Sequence, residues 1–461
     1  MTTLPDGLVA VVRTDCATCT LVRPLLGGVT VQVISEDEEE GLDASYALGI
    51  ETVPTLLRIE GGTEVERLVG WDREAWRGIT GDPSLGDDLP GFRPGCGSRT
   101  LDPGVADELA VRFLGSSMRS RRVEVGQLED EVEAMFDRGW TDGLPVVAPT
   151  EARVLRMLEG TTRAPDDVVA VVPPDLVDCT VEKVAVNAVL AGCKPEYLPV
   201  VLACVEAACT DEFNGHGLLA TTYFSSPVVI VNGPVRAAIG MNWGLNALGQ
   251  GNRANATIGR ALQLVIRNVG GGRPGGVDRA TLGNPGKYTF CFAEDEDGSP
   301  WEPLSESRGA ARGASAVTLF AGAGVQPVVD QLSRTPESLA STFAACLRTV
   351  GHPKLPIAFD ALVVISPEHM RIFREAGWPR ARVLAELTER LQLPGSEIVR
   401  GAGGVSEGVP ETLADATLPK FRAGGLLLAH AGGGAGLFSA IIAGWASGST
   451  GSTPVTVEVG T

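Results

Sequence analysis

Short apolar runs, each closed by a turn and followed by an amphipathic stretch, recur along the chain. The first run, Leu8-Val-Ala-Val-Val12, leads into Asp15-Cys16-Ala17-Thr18-Cys19 and a helical stretch through Leu26. Next come a strand over residues 29–34, an acidic loop over 36–40, a short helix around 44–48 and the segment Gly49-Ile50-Glu51-Thr52-Val53-Pro54-Thr55-Leu56. Two strands around a Gly61-Gly62 turn and a helix starting near Asp72 complete the pattern, which predicts a compact unit over residues 1–85. Residues 81–104 are dense in Pro, Gly and Asp, and 102–138 read as mostly helical, so 86–139 are expected to form a linker and helical strap. Gly139-Trp-Thr-Asp-Gly-Leu-Pro145 then breaks the helix. Beyond it, apolar runs at 168–172, 228–231, 317–320, 362–365 and 426–429 predict buried strands. Helices are predicted over 181–190, 198–208, 253–269, 336–350, 367–376 and 382–391. Residues 140–461 are therefore expected to be one large α/β domain with a mixed or parallel sheet, divisible into two subdomains.

Length agrees, since 461 residues exceed what a single ordinary core organises. With 38 basic and 57 acidic residues the net charge is −19, which argues against nucleic acid or an anionic membrane as the main partner. No apolar run approaches the ~18 residues of a membrane span. The opening Met1-Thr-Thr-Leu-Pro-Asp-Gly has no basic region followed by an apolar stretch, so a cytoplasmic location is expected. The 58 glycines fall in short strings between apolar segments and indicate tight turns rather than disorder.

Nine cysteines, an odd number in so long a chain, do not indicate a disulfide scaffold. None of the four histidines (216, 352, 369 and 430) has a second His or a Cys three or four residues on, so no metal site is expected. Cys16-x-x-Cys19 at a strand-to-helix turn places the first sulfur at a helix N-terminus, where free N–H groups and the dipole favour the thiolate. Cys19, one turn on, is placed to attack a mixed disulfide. A Cys-x-x-Cys that fills core space or binds zinc is the alternative. Cys16 is expected to be the more accessible sulfur, and the carboxylate of Asp15 to oppose its ionisation. Cys96, between Gly95 and Gly97, reads either as a third redox thiol or as an incidental loop cysteine.

Cys16 and Cys19, followed by Ile50-Glu-Thr-Val-Pro-Thr55 with strand–helix order intact, make residues 6–82 resemble the thioredoxin superfamily. The resemblance implies a thioredoxin-like fold, dithiol–disulfide exchange at Cys16 and Cys19, a cis Pro54 against the two cysteines, and a reductase or thiol as electron donor. Two departures stand out: Asp15 replaces the aromatic residue that often precedes the first cysteine, and the intervening dipeptide is Ala-Thr. In the larger region, Gly139–Pro145, Asn255-Ala-Thr-Ile-Gly-Arg260 and Ser299-Pro-Trp301 resemble segments of bacterial proteins that carry an N-terminal thioredoxin-like domain. No activity comes with that likeness.

Several features of the larger region could carry chemistry. Arg253, Arg260 and Arg267 recur every seven residues on one helix and could hold a carboxylate or phosphate; a solvated face with salt bridges is the alternative. His216, between glycines, is a candidate proton donor. Cys291 is a candidate acceptor thiol or a buried apolar cysteine. Gly433 and Gly434 lie in a glycine string after a strand, before a segment that reads as helical, an arrangement able to cradle an anion. The string matches neither the phosphate loop nor the dinucleotide fingerprint, and no cofactor is expected. Together these residues suggest a thiol-dependent oxidoreductase or reductive lyase acting on a small anionic substrate, with Cys16 and Cys19 as electron donors. The alternative is a redox-controlled binding protein whose large domain is not catalytic.

Overall fold

The computed structural model describes residues 6–114, 118–126, 129–446, 448 and 450–460. The first five residues, read above for a leader, and residues 115–117 and 127–128 of the expected helical strap lie outside the described residues. The chain is α/β and forms two compact units, Met1–Ser117 with Glu151–Arg153, and Met118–Thr150 with Val154–Thr461.

In the first unit the order is β1 (Gly7–Val12), α1 (Ala17–Leu26), β2 (Val31–Ser35), α2 (Glu39–Ala47), β3 (Thr52–Val53), β4 (Thr55–Glu60), β5 (Thr63–Val69), β6 (Trp71–Asp72), α3 (Arg73–Thr80), β7 (Phe92–Arg93), β8 (Cys96–Gly97) and α4 (Val105–Leu114). The main sheet runs β2-β1-β4-β5, with β2 parallel to β1 and β4 antiparallel to it. β1 is central because Val9 to Val12 are all buried, as an apolar run without alternation requires. Local chemistry bounds α3: the Asp72 carboxylate accepts from Ala75 N at its start, and Gly81 takes a left-handed conformation at its end. Trp71 and Trp76 meet edge-on, centroids 5.1 Å apart, in the core beneath.

The expected boundary near residue 85 is displaced. Residues 86–101 fold back on the preceding chain, with β7 pairing β6 and β8 pairing β3 so that Cys96 stands opposite Val53. Trp71 Nε1 donates to Pro90 O at 2.6 Å, and Ser98 N to Glu51 O at 2.9 Å. The buried carboxylate of Glu36 accepts from the Ser98 hydroxyl and from Arg99 N. Gly95 makes the approach possible, since a Cβ there would stand 2.3 Å from Thr52 Cγ2 and 2.7 Å from Val53 O. The Pro/Gly density that reads as a linker here serves a strap lying flat on the unit. Of the helix expected over 102–138, the described residues form α4 and Glu131–Asp137.

The second unit is built on a seven-stranded mixed sheet. Its path is Cys291–Ala293, Ser226–Asn232, Ala316–Val329, Phe438–Ala446, Phe359–Ile365 and Leu426–His430, with Val455–Glu458 also on Ala316–Val329. The outer pairs Cys291–Ala293 with Ser226–Asn232 and Phe359–Ile365 with Leu426–His430 are parallel, and the central ones antiparallel. Alternation sorts the faces: Val229 and Val231 pack with helices Val181–Ala191, Leu198–Ala208 and Arg253–Asn268, while Val228 and Ile230 join a second layer with Phe292, Phe320 and Leu362. Ala361, Val363 and Ile365 face helices Pro336–Leu347, Pro367–Glu375 and Arg380–Arg390.

The fold-back gives a test. Fragment 1–85 should unfold at lower denaturant than fragment 1–117, by about 2 kcal/mol or more, because Glu36 and Trp71 lose partners where water reaches poorly. Equal midpoints in urea would show that residues 86–101 contribute nothing.

Candidate functional site

In the first unit, Cys16 is the N-cap of α1, and its sulfur accepts from Cys19 N at 3.3 Å. As a thiol it also reaches Val53 O at 3.5 Å, next to the cis Val53–Pro54 bond. Pairing of β3 with β8 brings Cys96 onto the same sulfur, so three free thiols, Cys16, Cys19 and Cys96, form one cluster. Burial pushes the Cys16 thiol up, but interaction with the Cys96 thiol, with the N–H and thiol of Cys19 and with the N–H of Thr18 outweighs it and holds the group below the ordinary thiol value. Burial drives Cys19 far in the other direction, and the neighbouring Cys16 adds to this. Cys96 is raised first by its hydrogen bond to Cys16, then by burial. Of the three thiols, Cys16 is therefore the one that ionises most readily.

Two expectations change. Cys16 is not the accessible sulfur: Cys16 and Cys19 are both fully buried, and Cys96, half-buried, is the thiol nearest solvent. The reason is the strap, pinned where Thr18 Oγ1 donates to Pro94 O at 2.6 Å. Nor does Asp15 bear on Cys16, because its carboxylate is 72% exposed and pairs with Arg13 at 2.9 Å.

The larger unit has a cavity of about 460 Å³, mostly apolar, with Arg267, Lys287, Ser225, Ser226, Tyr288 and Cys209 in its wall. The hydroxyls of Ser225 and Ser226 and the Nε of Arg267 are buried without a hydrogen-bond partner. Lys287 is paired with Asp278 at 2.8 Å, while Arg267 makes no ion pair among the described residues and feels Asp142 of the same wall only at longer range. Burial and the nearby Arg273 draw its guanidinium below the usual value. Burial pushes the Cys209 thiol up to about 12.

The three arginines do not act as one ladder. Arg253 donates to Gly192 O at 2.9 Å. Arg260 forks onto Asp142 at 2.7 and 2.8 Å and also reaches Leu144 O and Pro145 O, so it locks the turn at 139–145. Only Arg267 faces the cavity. The sequence pattern did not single out Asp142, Ser225 or Ser226; the acid beside glycine in Gly139–Pro145 was the available hint.

His216 is exposed on the short helix Gly215–Ala220 and is not part of the cavity wall. Cys291 is 6% exposed and lies against Gly259, where a Cβ would stand 3.1 Å from the cysteine Cβ. Burial raises its thiol well above the usual value, so it is closed in beneath the helix Arg253–Asn268 and outside the cavity. Gly433 and Gly434 join two strands, because residues 437–442, read as helical, enter the strand Phe438–Ala446 between two antiparallel neighbours. No helix N-terminus follows the glycines, and the anion cradle expected there is absent. Among the described residues, no group of three or more His, Cys, Asp or Glu could hold a metal ion, and no helix is long and apolar enough to cross a membrane.

Replacing Cys96 with Ala should raise the Cys16 pKa by about one pH unit, since a hydrogen bond to the charged form is lost. Thiolate absorbance followed against pH reads this directly, because the other cysteines near this sulfur titrate higher. Asp15→Asn should leave that titration in place; a downward shift would restore Asp15 as an opposing charge. Comparison with protein-family models, with curated proteins and with solved structures returns no match to this chain.

Proposed function

We propose that this protein is a thiol–disulfide oxidoreductase whose first unit, thioredoxin-like in strand order, carries the reacting dithiol. The observation that carries the reading is the sulfur of Cys16 at the start of α1, held low in pKa by donors from Cys96 and the backbone, with Cys19 one turn inside. The thiolate form is the nucleophile that attacks a disulfide, so a lowered pKa favours attack, and a neighbouring thiol then releases the product. The parallel β1–β2 pair, the antiparallel β4 and the edge strand β5 support the same reading. Cys16→Ser should abolish reduction of a small aromatic disulfide by the reduced full chain. Wild-type turnover in that variant would end the proposal.

For the larger unit, the reading favoured by the cavity is binding rather than thiol chemistry. Cys209, the one cysteine among the described residues of its lining, is held protonated by burial, while Arg267, its Nε without a hydrogen-bond partner, stands in a mostly apolar wall that also carries Asp142, Asp278 and Lys287. The ligand class that fits is a small, largely apolar molecule bearing one carboxylate or phosphate. An aromatic carboxylate found by thermal shift should lose about tenfold in affinity on Arg267→Gln, the worth of one charge-assisted hydrogen bond. Unchanged affinity would remove Arg267 from the site. If affinity differs between the oxidised and reduced chain, binding in this unit is under redox control.

A further inference from the structure

We propose that Cys96 is the resolving thiol of the Cys16 site, so that oxidation by a low-molecular-weight disulfide ends in a Cys16–Cys96 bond. The inference rests on the dithiol reading above and changes which pair of sulfurs closes.

The geometry is over-determined around this pair. Cys96 stands opposite Val53 in the β3–β8 ladder, and Val53 O is the carbonyl that the Cys16 sulfur touches at 3.5 Å. Thr18, inside the first turn of α1, is tied to Pro94, two residues before Cys96, at 2.6 Å. The Cys96 thiol lies close enough to the Cys16 sulfur for the two to shift each other's ionisation, as the Cys19 thiol also does. The chain on either side of the prospective bond is therefore tied together by the β3–β8 pairing and the Thr18–Pro94 bond. Gly95 is required for this approach, because any side chain there would strike Thr52 and Val53.

Cys19 also borders the Cys16 sulfur and differs from Cys96 in its burial. It is fully buried within the hydrophobic core of the unit, and its sulfur is engaged by the backbone of Arg13. Burial holds it protonated far more firmly than Cys96, which is half-buried and exchanges its proton with solvent more readily. The resolving step needs a thiolate, so the thiol that ionises more easily attacks first.

The chemistry balances without a further reactant. The Cys16 thiolate attacks one sulfur of the external disulfide, forming a mixed disulfide and expelling one thiolate. Cys96 loses its proton to solvent and attacks the Cys16 sulfur, forming the Cys16–Cys96 bond and expelling the second thiolate. The protein gives up two electrons, and the external disulfide becomes two thiols. Cys19 is the thiol left to attack the mixed disulfide, more slowly, when Cys96 is missing.

Trypsin separates the possibilities in the wild-type chain. Cys16 and Cys19 share one peptide, residues 14–58, because Arg23 precedes Pro24, while Cys96 falls in residues 78–99, because Arg93 precedes Pro94. The reduced full chain is exposed briefly to oxidised glutathione, quenched in acid, alkylated and mapped by mass spectrometry. The expected result is a cross-linked pair of peptides as the main early disulfide. A single peptide with an internal Cys16–Cys19 bond and alkylated Cys96 would overturn the proposal. Cys96→Ser should leave the Cys16–glutathione adduct resolving at least about tenfold more slowly than wild type, and Cys19→Ser close to the wild-type rate. The reverse order of the two variants would also overturn it. If Cys19→Ser/Cys96→Ser takes up no glutathione at Cys16, the dithiol reading falls together with this one. If the adduct forms but Cys96 does not resolve it, only the role of Cys96 falls.

Discussion

A sulfur anion persists away from water only where hydrogen-bond donors replace the water, and at Cys16 those donors come from separate parts of the chain. The first turn of α1 supplies N–H groups as any helix N-terminus does. The S–H of Cys96 arrives from a segment roughly eighty residues downstream, carried by the strap. Burial by itself pushes a thiol the other way, as it does for Cys19. Much of the first unit can be read as the scaffold that keeps these donors together.

That scaffold explains why the unit continues past residue 85. The strap is held by short β pairs, by the Glu36 carboxylate under Ser98 and Arg99, and by Trp71 on Pro90. Each contact satisfies a polar group in a poorly solvated place, where an orphan would cost about 1–3 kcal/mol. Proline and glycine suit the task, one stiffening an extended path and the other letting backbone lie on backbone. The arrangement closes the site to solvent and leaves Cys96 as its outermost sulfur.

In the larger unit the same rule, that a buried charge finds a partner, distributes the arginines of one helix. Arg260 takes Asp142 and two carbonyls and becomes structural, Arg253 caps a neighbouring loop, and Arg267 keeps an unpaired Nε in the cavity wall. The unpaired group is the chemically informative one, since Asp142 offsets its desolvation only in part and an entering anion would offset it further.

Much of the secondary structure was legible in the residues. The apolar run at 228–231, the helices over 181–190 and 198–208, and the Asp72 and Gly81 caps all depend on interactions within a few residues, which periodicity and capping chemistry express directly. The pair Cys16 and Cys19 at a strand-to-helix turn was legible for the same reason. Residues 437–442 were not, because Ile441 and Ile442 suit either element locally and only pairing with strands on both sides selects extended backbone. The run at 168–172, expected as a buried strand, is an extended but mostly unburied strand of a separate two-stranded sheet. Likewise, spacing along the chain could not say which arginine faces a cavity, that Cys291 is closed in against Gly259, or that Cys96 lies on Cys16. Those outcomes are choices of partner made across tens to hundreds of residues, and the energy that decides them resides in the packed contacts rather than in the local chain.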